Sequence, residues 1–232
     1  MSTIPVTDRT RIRRLPERQA TDQDQLYAAI DAGLVAHVAV NRDGQPVVLP
    51  VGYARDGDSL LIHGSTGSGI FRQLAAGRPL AVCITHLDGL VFARSAFDSS
   101  MNYRSVMVLG RASVVPDAEK QAALEVIVDH LMPGRAAEVR PMTRRELAAT
   151  LVLRIPLAEA SMKVRAKGAS EEPDDGEDRA VWAGVLPISM QATAPQRSVM
   201  TPDDVAVPPS VRAAASALER SAAALEPADV LG

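Results

Sequence analysis

The chain has one cysteine, three lysines and seven aromatic residues in 232 positions. The lone cysteine, Cys83, lies in an apolar run, which excludes an internal disulfide and any metal site built from several thiolates. The aromatics (Tyr27, Tyr53, Phe71, Phe92, Phe97, Tyr103 and Trp182) stop at residue 182, so the core is expected to end near there. No run of about 18 apolar residues offers a membrane-crossing helix, and no apolar run of leader type follows the N-terminal charges. No Lys/Arg tract with interleaved aromatics marks a nucleic-acid surface. A cytoplasmic protein that engages neither membrane nor nucleic acid is the expectation.

What remains is an ordinary globular composition, 47% hydrophobic and 23% charged with a net charge of −3. Residues 171–178 hold six acids and no base, so the acidity of the chain resides in that one segment. The preference for arginine over lysine reads most simply as genomic base composition.

The hydrophobic period changes along the chain. Residues 1–20 are Arg-rich and too polar for a core element; they read as an arm across the domain. Asp22 suits an N-cap, Leu26, Ala29 and Ile30 recur at helical spacing, and Gly33 suits the position after the C-cap, predicting a helix over 22–32. Val35–Val40, Val47–Tyr53 and Leu60–His63, separated by Asp-Gly turns, predict a three-strand meander. Strands are expected over Leu80–Thr85 and Gly89–Arg94, then a long one over Tyr103–Val115 with Gly110 marking a bulge. Asp117 is expected to cap a helix that Pro133-Gly134 ends, and strands follow at Leu151–Ile155 and Ala160–Val164. Beyond Met190 the chain turns to Ala, Ser and Pro; residues 191–232 read as a tail, either disordered or forming one Ala-rich helix over Val211–Leu225.

Three segments concentrate directed donors. His63, Gly64, Ser65 and Ser68, followed by Arg72 on a short helix, form either a phosphate cradle at a helix start or a plain turn. The segment lacks the Gly-Lys-Ser/Thr of a P-loop, and it is not a Gly-x-Gly-x-x-Gly fingerprint. Residues 88–105, with Arg94, Asn102, Tyr103, Arg104 and Ser105, suit recognition of a phosphate or carboxylate and of a planar ring rich in acceptors. A solvated hairpin is the alternative. Ser161, Lys163 and Arg165 alternate onto one strand face, either completing an anionic site or guarding an exposed edge. Trp182 suits stacking on a cofactor or an interface. His37, His63, His86 and His130 lack zinc spacing, so no metal is called for; His63, at a strand end, stands out among them.

The run Val48-Leu49-Pro50-Val51-Gly52-Tyr53, then Leu61-Ile62-His63-Gly64-Ser65, Asp88-Gly89-Leu90-Val91-x-Ala93-Arg94-Ser95-Ala96-Phe97, Ser100-x-Asn102-Tyr103-Arg104-Ser105-Val106 and Trp182–Pro187 resembles the pyridoxamine 5′-phosphate oxidase-related flavin-binding proteins. Within them it is similar to the branch grouped with nitroimidazole reductases, across about residues 10–190. The resemblance implies a mainly β protein with peripheral helices: an antiparallel, Greek-key-like, FMN-binding split β-barrel over residues 21–190, acting as a homodimer with FMN in two interface sites.

It also implies roles for residues. Val48 and Pro50 would lie along the isoalloxazine, His63–Ser68 near the ring and ribityl phosphate, and Arg104 and Ser105 would reach the flavin. Lys163, Arg165 and Trp182 would come from the partner chain. Many relatives carry Arg or Lys directly after the cradle serine, whereas here Gly69-Ile70 follows Ser68, so phosphate binding would fall to Arg72, Arg94 and Arg104. Related split barrels bind haem or the deazaflavin F420 instead. The implied activity is reduction of a small planar or nitro-type substrate by hydride transfer through flavin from a nicotinamide donor. The alternative is a non-catalytic flavin- or haem-binding protein, with His63 or another histidine on iron.

Overall fold

The computed structural model describes residues 2–170 and 180–223; the acidic segment 171–178 and the last residues of the tail lie outside them. Antiparallel pairing joins every strand: β1 (Gln19–Ala20), β2 (Val35–Arg42), β3 (Gln45–Asp56), β4 (Ser59–Ser65), β5 (Pro79–Phe92), β6 (Ser100–Arg111), β7 (Ser113–Val114), β8 (Thr150–Pro156), β9 (Ala160–Arg165) and β10 (Gly184–Pro187). The order across the sheet is β1-β9-β6-β5-β2-β3-β4-β8-β7, with β10 on the far part of β5. This is a mostly antiparallel split barrel with few peripheral helices. The long strand β3 makes the corner: its first part, through Gly52, pairs with β2, and its last four residues, Tyr53–Asp56, pair with β4.

Alternation along the strands builds the core. Ala36, Val38 and Val40 on β2, Val82 and Ile84 on β5, and Val106 and Val108 on β6 all turn inward, as a side-chain period of two dictates. They meet Ile30 of helix α1 (Gln23–Asp31), Leu60 and Ile62 of β4, and Leu153 and Ile155 of β8. A second, smaller cluster packs α3 (Asp117–Leu131) through Ala123, Leu124 and Ile127 onto Ala54, Leu61 and Val152. Asp22 caps α1 as expected, its side chain accepting from the Asp24 and Gln25 amides. The aliphatic side chains fill the barrel. Of the seven aromatics only Tyr53 and Phe71 are buried, so the shortage of rings cost the core little.

Several expectations need correction. Leu80–Thr85 and Gly89–Arg94 are one strand, β5, because the Asp88-Gly89 signal marks a bulge between Leu87 and Gly89 rather than a turn. Gly89 suits the close approach there, since a Cβ would sit 3.1 Å from the Leu186 carbonyl and from Val185 of β10. Gly110 marks no bulge; it pairs in register with Leu80. The long strand begins at Ser100 and ends at Arg111, after which Ser113–Val114 leave to pair with β8. Pro116, not Asp117, holds the N-cap position of α3, with Asp117 in its acidic first turn.

Helices α4 (Arg135–Glu138) and α5 (Arg144–Ala149) were not anticipated, although Thr143-x-x-Glu146 is a capping box with both reciprocal hydrogen bonds formed. The arm is tied into the sheet: Ile4 is buried, Thr3 bridges to Asp22, and β1 pairs with β9. In the tail, α6 (Pro209–Ala223) is anchored by Glu138, which accepts from both the amide and the hydroxyl of Ser210.

Candidate functional site

The strands that bury one face leave the other open. Register sets Pro50 beside His37, His37 beside Cys83, Cys83 beside Met107 and Met107 beside Ser161, a row across β3, β2, β5, β6 and β9. The flanking rows carry Val48, Ala39, Ala81 and Leu109 on one side and Thr85, Ser105 and Lys163 on the other. Directly opposed residues of an antiparallel pair share a face. Val35, Val48 and Met107 are 48%, 57% and 47% exposed, so the surface is apolar and open, with hydroxyls along one edge.

Val48 and Pro50 lie on this face as neighbours, two apart on β3. Ser105 lies on it too, but Arg104, the next residue, points the opposite way because successive strand side chains alternate. The two therefore do not reach one ring together from the strand. Arg104 instead makes a bidentate pair with Asp88, both bonds 3.0 Å. With His86, Thr85, Leu87 and Ile188 this pair lines a cleft of about 330 Å³, which shares Thr85 with the open face and which Leu218 of the tail helix also borders.

The His63–Ser68 loop is largely satisfied by itself. Thr66 donates to the Ala149 carbonyl, Gly67 to the Ser65 hydroxyl and Ser68 to the Ser65 carbonyl, while the Ser68 hydroxyl caps α2 (Gly69–Ala75) by accepting from Phe71. Gly64 is there because the Phe71 ring packs across its Cα. Arg72 stands exposed on α2. Arg94 follows β5 just before a turn closed by Ser95 and Asp98. The three arginines expected at a phosphate thus sit on different elements.

Asn102 and Arg165 do come together. The buried Asn102 accepts from Arg165 Nη1 at 2.6 Å and from the Lys167 amide, and donates to the Lys167 carbonyl. Tyr103 is the register partner of Arg165. Lys163 donates to the Arg14 carbonyl and so pins the arm. Trp182 is 66% exposed and leans on Phe92, ring centres 5.8 Å apart.

The four histidines differ in what their rings are free to do. His86 Nε2 bonds the Ala29 carbonyl at 2.8 Å, and His130 Nε2 bonds the Gly33 carbonyl at 2.7 Å. In both bonds the ring N–H donates to the carbonyl oxygen. Burial lowers the pKa of His86 and of His63, favouring the uncharged imidazole. His37 and His63 make no hydrogen bond among the described residues.

Sequence reasoning named His37 but singled out His63 ahead of it, and it did not see Asp88 as the partner of Arg104. The signal for His37 was its place in Val35-Ala36-His37-Val38-Ala39-Val40, where alternation puts it opposite the buried residues. Among the described residues no group of three or more His, Cys, Asp or Glu gathers as a metal site, and no helix is long and apolar enough to cross a membrane.

A family model described as pyridoxamine 5′-phosphate oxidase matches residues 22–164. The chain belongs to that family. Within the family fold, it is similar to the FAD and haem binding protein from Mycobacterium smegmatis, with 42% identity, a TM-score of 0.82, and coverage of 85% of this chain and 97% of that one. It is also similar to the flavocytochrome Anf3 from Azotobacter vinelandii, with 36% identity, a TM-score of 0.83, and coverage of 89% and 96%. A protein from Bacteroides thetaiotaomicron named for 5-nitroimidazole antibiotic resistance matches at 19% identity and a TM-score of 0.54, over 63% of this chain and 86% of that one, which shows the shared fold alone. No curated protein sequence matches.

Proposed function

We propose that this chain is a flavin- and haem-binding redox protein that works as a homodimer, with the open sheet face covered by the cofactors and a second copy. The observation that carries the reading is the likeness over nearly the whole chain to a protein that binds both FAD and haem. For that reason FAD is favoured over the FMN expected from the sequence.

The residues of the open face fit such groups. Exposed apolar side chains spread over one sheet face, among them Val35, Val48 and Met107, call for a cover. Val48 and Pro50 offer flat apolar contact to a ring system, and Thr85 and Ser105 offer hydroxyls at its edge. His37 is the residue that would ligate iron. Its ring is uncommitted among the described residues and stands amid apolar side chains, the surroundings a macrocycle needs, whereas His86 and His130 are spent on backbone carbonyls.

Bound flavin supplies hydride and two-electron chemistry, and bound haem supplies one-electron chemistry. The protein's share is to bind, orient and exclude water. Hydride delivery from a nicotinamide donor to a nitro-type substrate is secondary in this reading, because the relative named for nitroimidazole resistance shares only the fold.

Absorption spectra test the proposal. The purified protein is expected to show the two-band flavin spectrum and, once loaded with haemin, a Soret band. His37→Ala abolishes the Soret band while His63→Ala keeps it. A protein that gains neither spectrum on adding FAD and haemin overturns the reading, and an unchanged Soret band in His37→Ala removes that residue from the iron.

A further inference from the structure

At the sheet edge where the arm meets β9, the buried guanidinium group of Arg165 and the half-buried one of Arg18 lie together without a counter-charge among the described residues. Arg165 is 5% exposed. Its Nη1 is used on the Asn102 and Lys167 oxygens, both neutral, while its Nε is buried with no partner. Arg18 Nε is likewise buried with no partner. The two repel: desolvation first, and Arg18 second, lower the Arg165 pKa.

Among the described residues neither arginine forms an ion pair. Among the described residues Glu17 is the acid that lines the cavity; it is exposed and bridges to neither. A charge removed from water without pairing is strongly disfavoured, and two together more so.

The surroundings are built to hold them there. Leu15 adopts a left-handed conformation, φ 57°, that turns the arm into the short helical turn Pro16–Arg18. Gln19 locks that turn by accepting from the Ile12 amide and donating to the Thr10 carbonyl, and it pairs with Lys163 across β1 and β9. Arg18 and Arg165 then line a cavity of about 280 Å³ with Gln19, Gln25 and Lys167.

We infer that this cavity is a binding site for a phosphate or diphosphate group, gripped by the Arg18 and Arg165 guanidinium forks. Planar, multidentate donors match the oxygens of a phosphate, and an anion supplies the missing charge. Lys167, an exposed residue of the lining, adds a third cation. The group could belong to a bound flavin or to a separate phosphate-bearing ligand. The site itself is argued without reference to the flavin reading.

Calorimetric titration of the full chain with inorganic pyrophosphate tests it. Binding is expected, and Arg18→Gln should weaken it about tenfold to a hundredfold, the loss of one or two charge-assisted hydrogen bonds. Arg18→Lys, which keeps charge but not the fork, should fall between, and Arg42→Gln on a distant turn should match the parent chain. Arg18 is the residue to vary because Arg165 also braces Asn102. No binding, or equal affinity in Arg18→Gln, overturns the inference.

Riboflavin, FMN and FAD then identify the source. Weaker FMN and FAD binding with unchanged riboflavin binding in Arg18→Gln supports the site as the seat of the flavin phosphate. Loss of pyrophosphate alone supports a separate ligand. If no flavin binds while pyrophosphate does, the proposed function fails and this site stands.

Discussion

The inner and outer faces of β2, β5 and β6 are made by the same strands and alternate residue by residue, yet they are chemically unlike. Ala36, Val38, Val82, Ile84, Val106 and Val108 face in and are buried. His37, Cys83, Thr85, Ser105 and Met107 face out, and the outward set mixes apolar, hydroxyl, thiol and imidazole groups. A face selected only for stability has no use for that mixture. The inner face holds the fold together, at roughly 1.5–3 kcal/mol for each large aliphatic side chain buried. The outer face stays open, with His37, Thr85 and Met107 exposed.

The contrast can be broken most sharply from within. Ile62→Ala removes a fully buried side chain between β4 and the core, and should cost about 3 kcal/mol of unfolding free energy in a urea titration. A loss below about 1 kcal/mol would mean that the barrel interior is not packed as described.

His86 lies at the end of the inward row, bonded to helix α1, and sharpens the comparison through pH. Burial holds its folded pKa below the ordinary 6.5, with the Ala29 hydrogen bond opposing in part. The unfolded chain therefore takes up the proton more readily. Its contribution to stability is complete above about pH 6.5 and is lost as the pH falls towards and through the lower folded value. The melting temperature should drop between pH 7 and pH 5, and His86→Gln should flatten part of that drop. His63, shifted in the same direction, supplies another part. An identical slope in His86→Gln would reject the assignment.

The smallest effect on folding is expected from the outer face. Met107→Ala should change the unfolding free energy by less than about 0.5 kcal/mol, as for exposed positions generally. Its effect should fall on self-association, read as a weaker dimer by sedimentation. A large loss of folding stability without change in association would show that the outer face is not an interface.

The meander, the α1 cap and the core-facing residues were legible because they depend on short-range periodicity. Val35-Ala36-His37-Val38 declares both faces of β2 at once, although only the buried half was read. The bulge was misplaced for a physical reason: Gly89 lies where β10 pairs closely alongside β5, a contact almost a hundred residues away in sequence, whereas Gly110 sits in ordinary register. The site residues were the hardest to read. Arg104, Asn102, Lys163 and Arg165 were all recognised as unusual donors, but a sequence cannot say that Asp88 takes the first or that Asn102 and Arg165 take each other. Nor could it weigh Arg18, one of several arginines in a polar arm.

Composition and alternation by themselves determined that this chain forms an antiparallel β structure with an aliphatic interior, because side chains two residues apart must share a face and apolar ones must leave water. Which polar groups stay free was decided only by the tertiary structure. That depends on which strands meet: β9 folding back against β6 and the arm buries Arg165 and sets it beside the half-buried Arg18, and β2 lying between β3 and β5 leaves His37 open amid apolar neighbours.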